Sequence, residues 1–148
     1  MTPQDTALSA HFNLSEFTIS QSAARLGLDN TPSLSVLAQL AKTALGMEMV
    51  RTLLQAPIHI NSGYRSPIVN KAVGGAANSQ HVLGEAVDFI CPGFGTPARI
   101  VSAIRAGVHQ IPYDQVIMEF CGWVHISFSD SPRRQALVID MDGTRPWV

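Results

Sequence analysis

The sequence has few cysteines, little charge and no long apolar run. Among its 148 residues are two cysteines, Cys91 and Cys121, and 14% of the residues are charged. Two cysteines this far apart are too few for a disulfide framework or a four-sulfur metal site, so unpaired thiols are expected. No stretch of 18 apolar residues occurs, so the sequence predicts no membrane segment. A hydrophobic content of 46% indicates an ordinary globular chain, and we expect one domain over residues 1–148.

Basic and acidic residues almost balance. Ten basic residues oppose eleven acidic ones, and the only run of basic residues is the pair Arg133 and Arg134. Such a surface releases few counterions on binding a polyanion, so no nucleic-acid partner is expected. Residues 1–6 have neither the positive start nor the apolar stretch of a secretion signal, which predicts synthesis in the cytoplasm. The sequence predicts no particular oligomeric state.

Helical periodicity marks the first third of the chain. A short turn is expected over 11–17, and a helix over 21–26 between a Ser20 cap and a Gly27 stop. The longest helix follows Ser33, with Gly46 weakening its middle. Its predicted core-facing stripe is Leu34, Leu37, Leu40, Ala41, Ala44, Leu45, Met49 and Leu53.

Strands and one more helix are predicted for the rest. Apolar residues alternate with polar ones near 58–61, and strands are expected over 86–90, 115–119, 123–129 and 136–141. A long loop is expected over 70–79, a helix from Thr96 to Gly107, and a turn over 140–143. Short connections favour antiparallel pairing. The predicted fold class is therefore α+β, with N-terminal helices packed on a small antiparallel sheet.

Two segments concentrate the polar chemistry. His81 and Asp88 are seven residues apart, and Gly84 permits a sharp bend between them. Alternation then places Asp88 and His125 on the polar faces of their strands, so neighbouring strands could bring both to one ion. Two imidazoles and one carboxylate leave the fourth position of a tetrahedral zinc ion free, which is the arrangement of a catalytic zinc site.

These residues also form a recognisable motif. The pattern Ser79-x-His81-x-x-Gly84-x-Ala86-x-Asp88, followed by Trp123-x-His125, resembles the zinc D-alanyl-D-alanine carboxypeptidase family, which includes D-Ala-D-Ala dipeptidases and bacteriophage endolysins. The segments over 61–67 and 70–76 are also similar to that family. The resemblance implies zinc at His81, Asp88 and His125, an arginine near the metal at Arg65, and a fold shared with the signalling domain of hedgehog proteins.

The general base is predicted at Glu119. Many members of the family carry Glu or Asp three residues before the last histidine, where this chain has Gly122. A three-residue hairpin loop over 120–122, with Gly122 in its left-handed position, would place Glu119 opposite Trp123 on the face of His125. The alternatives are Glu85 and Asp114. The other histidines, His11, His59 and His109, are not needed for the site.

The resemblance implies a zinc-dependent peptidase of the D,D-carboxypeptidase or endopeptidase type, acting on peptidoglycan peptides that contain D-amino acids. Without a secretion signal, we expect a phage-type lysis enzyme that reaches the cell wall after release. The alternative is a metal-stabilised module that binds cell-wall peptides without cleaving them, because the glutamate position is displaced from the family pattern. Turnover of cell-wall peptides distinguishes the two.

Overall fold

A computed structural model describes residues 5–107 and 110–148 of the chain. These residues form helices and strands in the order α1 Leu14–Thr18, α2 Gln21–Leu26, α3 Leu34–Leu54, β1 His59–Ser62, α4 Pro67–Ala72, β2 Ala86–Ile90, α5 Pro97–Ala106, β3 Gln115–Glu119, β4 Trp123–Ser127, β5 Gln135–Asp140 and β6 Gly143–Pro146. The fold is α+β, as predicted. None of the described helices combines the length and apolar character needed to cross a membrane.

The helix ends follow their capping residues. Ser20 Oγ accepts the Ala23 N–H at 3.1 Å, and Gly27 ends α2 at a φ of 65°, as the sequence predicts. Helix α4 was not predicted, because only Ser66 and Pro67 signal its start. It occupies the beginning of the segment expected to be a loop.

The buried face of α3 differs from the predicted stripe. Leu34, Leu45 and Met49 are exposed, whereas the buried residues are Leu40, Thr43, Ala44, Gly46, Met47, Val50 and Leu54. Apolar residues occur on several sides of this helix, so periodicity alone could not identify the face. Gly46 has a packing role, because a Cβ there would lie 2.6 Å from the Phe128 ring.

The six strands form one sheet in the order β1-β2-β4-β3-β5-β6. The sheet is mixed, so the antiparallel prediction is wrong for one pair: β3 and β5 run parallel, with Ile117 opposite Leu137. The chain reverses direction after β4, as expected, but β5 does not pair with β4. It lies on the far side of β3, and because β3 and β5 both run opposite to β4, they are parallel to each other. Strand β6 was also not predicted, and it pairs with β5 through the predicted turn at 140–143.

One face of the sheet packs on the helices. The core cluster includes Val87 and Phe89 from β2 and Val124 and Ile126 from β4. Alternate residues of the same strands therefore lie on the opposite face. Both cysteines are free thiols, as expected, with Cys91 buried and Cys121 exposed.

Candidate metal centre

Three potential metal ligands converge on the face opposite the core. Asp88 on β2 is opposite His125 on β4, and His81 comes from the loop before β2. Asp88 Oδ1 lies 3.0 Å from His125 Nδ1, and Asp88 Oδ2 lies 3.4 Å from His81 Nε2. One ligand atom from each residue lies within 4.8 Å of the other two. The structure thus brings together the three residues that the sequence predicts, and they could hold a metal ion.

A backbone carbonyl fixes which nitrogen of His81 faces the site. His81 Nδ1 lies 2.7 Å from the Gly63 carbonyl oxygen, which can only accept a hydrogen bond. Nδ1 therefore donates to that carbonyl, which leaves Nε2 as the nitrogen that faces Asp88. A carbonyl partner of this kind is the usual way in which proteins orient a metal-binding imidazole.

This arrangement fits a cation. His81 Nε2 and His125 Nδ1 both face the ionised Asp88, at 3.4 Å and 3.0 Å, and a metal ion can replace the protons that these imidazoles otherwise share with the carboxylate. Mixed nitrogen and oxygen donors are suited to zinc, and three protein ligands leave a position free. His81 and His125 are both buried, with 3% and 9% of their surfaces exposed.

Asp88 is held as a carboxylate. Burial by itself would raise the pKa of Asp88, but hydrogen bonds from His125 and His81 outweigh burial and keep that pKa well below its usual range. An ionised carboxylate is the form that binds metals.

Glu119 lies beside the three ligands. The predicted register is confirmed, since Glu119 is opposite Trp123 across the β3–β4 hairpin. Its Oε1 is 3.9 Å from His125 Nδ1. The expected role of Gly122 is wrong, however, because the left-handed positions are Phe120 and Cys121, each with a φ of 53°. The Gly122 N–H instead donates to the Glu119 carbonyl at 2.9 Å and closes the turn.

The surroundings of Glu119 favour proton exchange. Burial, followed by the charge of Asp88, raises the pKa of Glu119, while His125 and a hydrogen bond from Trp123 oppose that rise. Trp123 Nε1 donates to Glu119 Oε2 at 3.0 Å. A half-buried carboxylate with a raised pKa and one free oxygen can accept and return a proton. The sequence did not reveal this role of Trp123, although alternation placed both residues on one face.

Arg65 occupies the loop after β1. Its backbone N–H donates to the His81 carbonyl at 3.1 Å, which joins the two site loops. Burial lowers the pKa of Arg65, while Asp88 and Glu119 raise it. Within the described residues Arg65 Nε is buried without a hydrogen-bond partner, and one terminal nitrogen is 3.5 Å from Ser79 Oγ. The guanidinium therefore has donors available for a substrate oxygen.

The alternative bases belong to a separate network. Asp114 accepts hydrogen bonds from Arg133 Nη2 at 2.7 Å, from Arg133 Nε at 3.0 Å and from Gln80 at 2.9 Å. The hydrogen bond to Arg133 is the main cause of a pKa of about 2 for Asp114. Glu85 accepts from the same Gln80 amide at 3.2 Å. This geometry favours Glu119 over both as the base.

The remaining histidines lie elsewhere. His11 pairs with Glu48 at 2.9 Å, and His59 is an exposed residue of β1. His109 lies outside the described residues. The orienting carbonyl of Gly63 was not predicted, because a backbone contact between distant loops leaves no side-chain signature.

Comparison with known proteins identifies the family. No curated protein matches the chain. The family model described as Peptidase M15 matches residues 10–127, a range that contains every residue of the site. Members of that family are metal-dependent peptidases, in agreement with a cluster of His81, Asp88 and His125 that could hold a metal ion. The chain belongs to the peptidase M15 family.

Proposed function

We propose that this protein is a zinc-dependent peptidase that cleaves peptidoglycan peptides containing D-amino acids. The observation that carries the proposal is the convergence of His81, Asp88 and His125 beside a half-buried Glu119. Zinc, when bound, supplies a water molecule of lowered pKa and polarises the scissile carbonyl. Family membership supports a peptide substrate.

The protein's own groups take the remaining roles. Glu119 accepts a proton from the attacking water through its carboxylate and returns it to the leaving amine. The Trp123 N–H holds the other oxygen of Glu119, which restricts the carboxylate to one orientation. Arg65 uses its Nε–H, which has no partner among the described residues, to bind a carboxylate or a developing oxyanion of the peptide.

A phage-type lysis enzyme is the biological role we favour. Such an enzyme is made inside the cell and acts on the wall peptides after release, and family membership supports a peptide substrate. Mass analysis of peptidoglycan digested by the purified protein identifies the bond that is cleaved. Wall fragments released by detergent lysates of expressing cells, but not by intact cells, would support action after release.

Removal of a ligand tests the metal assignment. His81→Ala or His125→Ala should abolish stoichiometric zinc, because two remaining ligands rarely retain the ion. His11→Ala is the matched control, since His11 pairs with Glu48 away from the site. Zinc is measured on purified protein together with peptide release. A full equivalent of zinc in either ligand variant would contradict the assignment, and a wild-type protein that binds zinc and walls but releases nothing would support the binding module instead.

A further inference from the structure

A cavity of about 710 Å³ follows the outer edge of the sheet. β1 forms one wall, and the segment between α1 and α2 forms another. We name it the edge groove and define it by Glu16, Ser22, His59, Asn61, Ser62 and Arg65. Arg65 lines this groove and also belongs to the candidate metal centre, so the two sites share one residue.

The groove contains an unpaired strand edge. Within the described chain β1 pairs only with β2, so its outer N–H and C=O groups have no strand partner. The edge closes just beyond the strand, where the Tyr64 N–H donates to the Phe17 carbonyl at 2.6 Å. A Cβ at Gly63 would lie 2.5 Å from the same oxygen, so α1 closes that end of the groove.

The distance to the metal ligands suits a peptide. Ser62 is opposite Asp88, so one strand spacing of about 5 Å separates β1 from the strand that carries a ligand. A chain added outside β1 would lie about one spacing further out. Since an extended residue spans about 3.3–3.6 Å, roughly three residues reach from that edge to the ligands.

One wall of the groove carries a negative charge. Glu16 Oε2 accepts the Asn13 N–H at 2.7 Å and thereby caps α1. Glu16 Oε1 has no hydrogen-bond partner among the residues that the structure describes. An ammonium group on a bound peptide would complement this oxygen, whereas a carboxylate on the peptide would complement Arg65.

We propose that the edge groove binds the uncleaved arm of the substrate peptide as a strand added to β1, and that Glu16 binds a side-chain ammonium group on that arm. The identity of the peptide rests on the proposed function. Backbone hydrogen bonds to β1 provide affinity, and Glu16 provides selection for a diamino residue over an apolar one. Addition of an extended peptide to a free sheet edge is a general mode of recognition.

The charge is tested with paired peptides. Lysine is placed in turn at each of three positions on both sides of the cleaved bond, and each peptide is compared with its norleucine equivalent. At one position the wild type should favour lysine about three- to tenfold in kcat/KM, the range of one partly exposed ion pair. Glu16→Gln should bring that ratio close to one, because glutamine can still cap α1. Asp130→Asn, which removes an exposed carboxylate outside the groove, should keep the wild-type ratio.

A binding measurement separates this proposal from the proposed function. Fluorescence anisotropy follows labelled lysine and norleucine peptides on zinc-loaded Glu119→Gln protein, which should bind without cleaving. Esters that replace single amides of the arm should weaken binding at alternate positions, since alternate residues of an added strand bond to β1. If the lysine and norleucine peptides bind equally well at all positions, or if no ester weakens binding, the proposed role of the edge groove would be contradicted. Selective binding by a wild-type protein that cleaves nothing would uphold the groove and overturn the peptidase.

Discussion

The two ends of β3 hold carboxylates in opposite surroundings. Glu119 is the last residue of the strand, and Asp114 directly precedes its first residue. Burial and the charge of Asp88 raise the pKa of Glu119 above its ordinary value. The hydrogen bond from Arg133 lowers the pKa of Asp114 to about 2. One end of β3 thus has a carboxylate suited to proton transfer, and the other end has a carboxylate that remains ionised.

The partners explain the difference. Asp114 receives two parallel hydrogen bonds from one guanidinium, an arrangement that strongly stabilises the charged form. Glu119 receives one hydrogen bond from the neutral indole of Trp123 and keeps an oxygen free beside His125. The comparison teaches that a candidate base is identified by what already occupies its oxygens, not by its distance in sequence from a ligand.

The largest effect is expected at Glu119. Glu119→Gln keeps the size and the Trp123 acceptor but cannot accept the proton, so activity should fall about 10²–10⁴-fold. Zinc content and folding should stay close to wild type, because Glu119 is not assigned as a ligand. Peptide release from purified cell walls and zinc are measured on the same samples. Wild-type turnover by this variant would remove Glu119 from the mechanism and return Glu85 and Asp114 to consideration.

Asp114→Asn should affect stability more than chemistry. Loss of hydrogen bonds to a charged partner should lower the free energy of unfolding by about 1.5–3 kcal/mol, measured by urea unfolding. Activity per zinc-loaded molecule should fall less than tenfold. Asp140→Asn is the matched control, because it also breaks two hydrogen bonds from one guanidinium, that of Arg145, but at a solvent-screened position, so it should lower the free energy of unfolding less than Asp114→Asn.

Acid should reduce the difference in the free energy of unfolding between the wild type and Asp114→Asn. The pKa of Asp114 is about 2 in the folded protein and 3.8 in the unfolded chain. The stability that the ionised carboxylate contributes is therefore complete above about pH 4 and is lost as the pH falls towards 2. Urea unfolding of chelator-treated protein at pH 7, 4.5 and 3 measures this. A constant difference across that range would show that ionisation of Asp114 is not the source of its contribution.

Local sequence signals predicted much of the fold. Caps and glycine stops gave α2 and α5, and alternation gave β3 and the faces of β2 and β4. The pairing of Glu119 with Trp123 followed from the length of the hairpin loop. These features depend on neighbours in the chain, which is why they could be predicted.

Features set by distant contacts could not be predicted. The parallel pairing of β3 with β5 depends on where the chain passes after β4, and the buried face of α3 depends on the ring of Phe128 against Gly46. Within the site, the Gly63 carbonyl orients His81 across 18 positions of sequence. The ion pair between Arg133 and Asp114, which distinguishes Asp114 from Glu119, likewise joins two separate connecting segments of the chain. Composition and periodicity contain no record of such contacts.

The smallest effect is expected from Trp123→Phe, which tests how Glu119 is held. Phenylalanine retains the aromatic ring but removes the N–H that donates to Glu119 Oε2 at 3.0 Å. Loss of one such hydrogen bond, about 0.5–1.5 kcal/mol, should lower kcat/KM about two- to tenfold. Because this bond lowers the pKa of Glu119, its loss should raise that pKa.

The pH profile distinguishes positioning from general damage. Glu119 must be ionised to accept a proton, so a higher pKa should move the acid limb of kcat/KM towards higher pH in Trp123→Phe. Phe120→Leu is the control, since the ring centroids of Phe120 and Trp123 are 5.8 Å apart but the Phe120 side chain has no hydrogen-bond donor for Glu119. Its acid limb should match the wild type. If Trp123→Phe loses activity uniformly at all pH values, Trp123 supports the packing of the hairpin and does not tune the carboxylate at the end of β3.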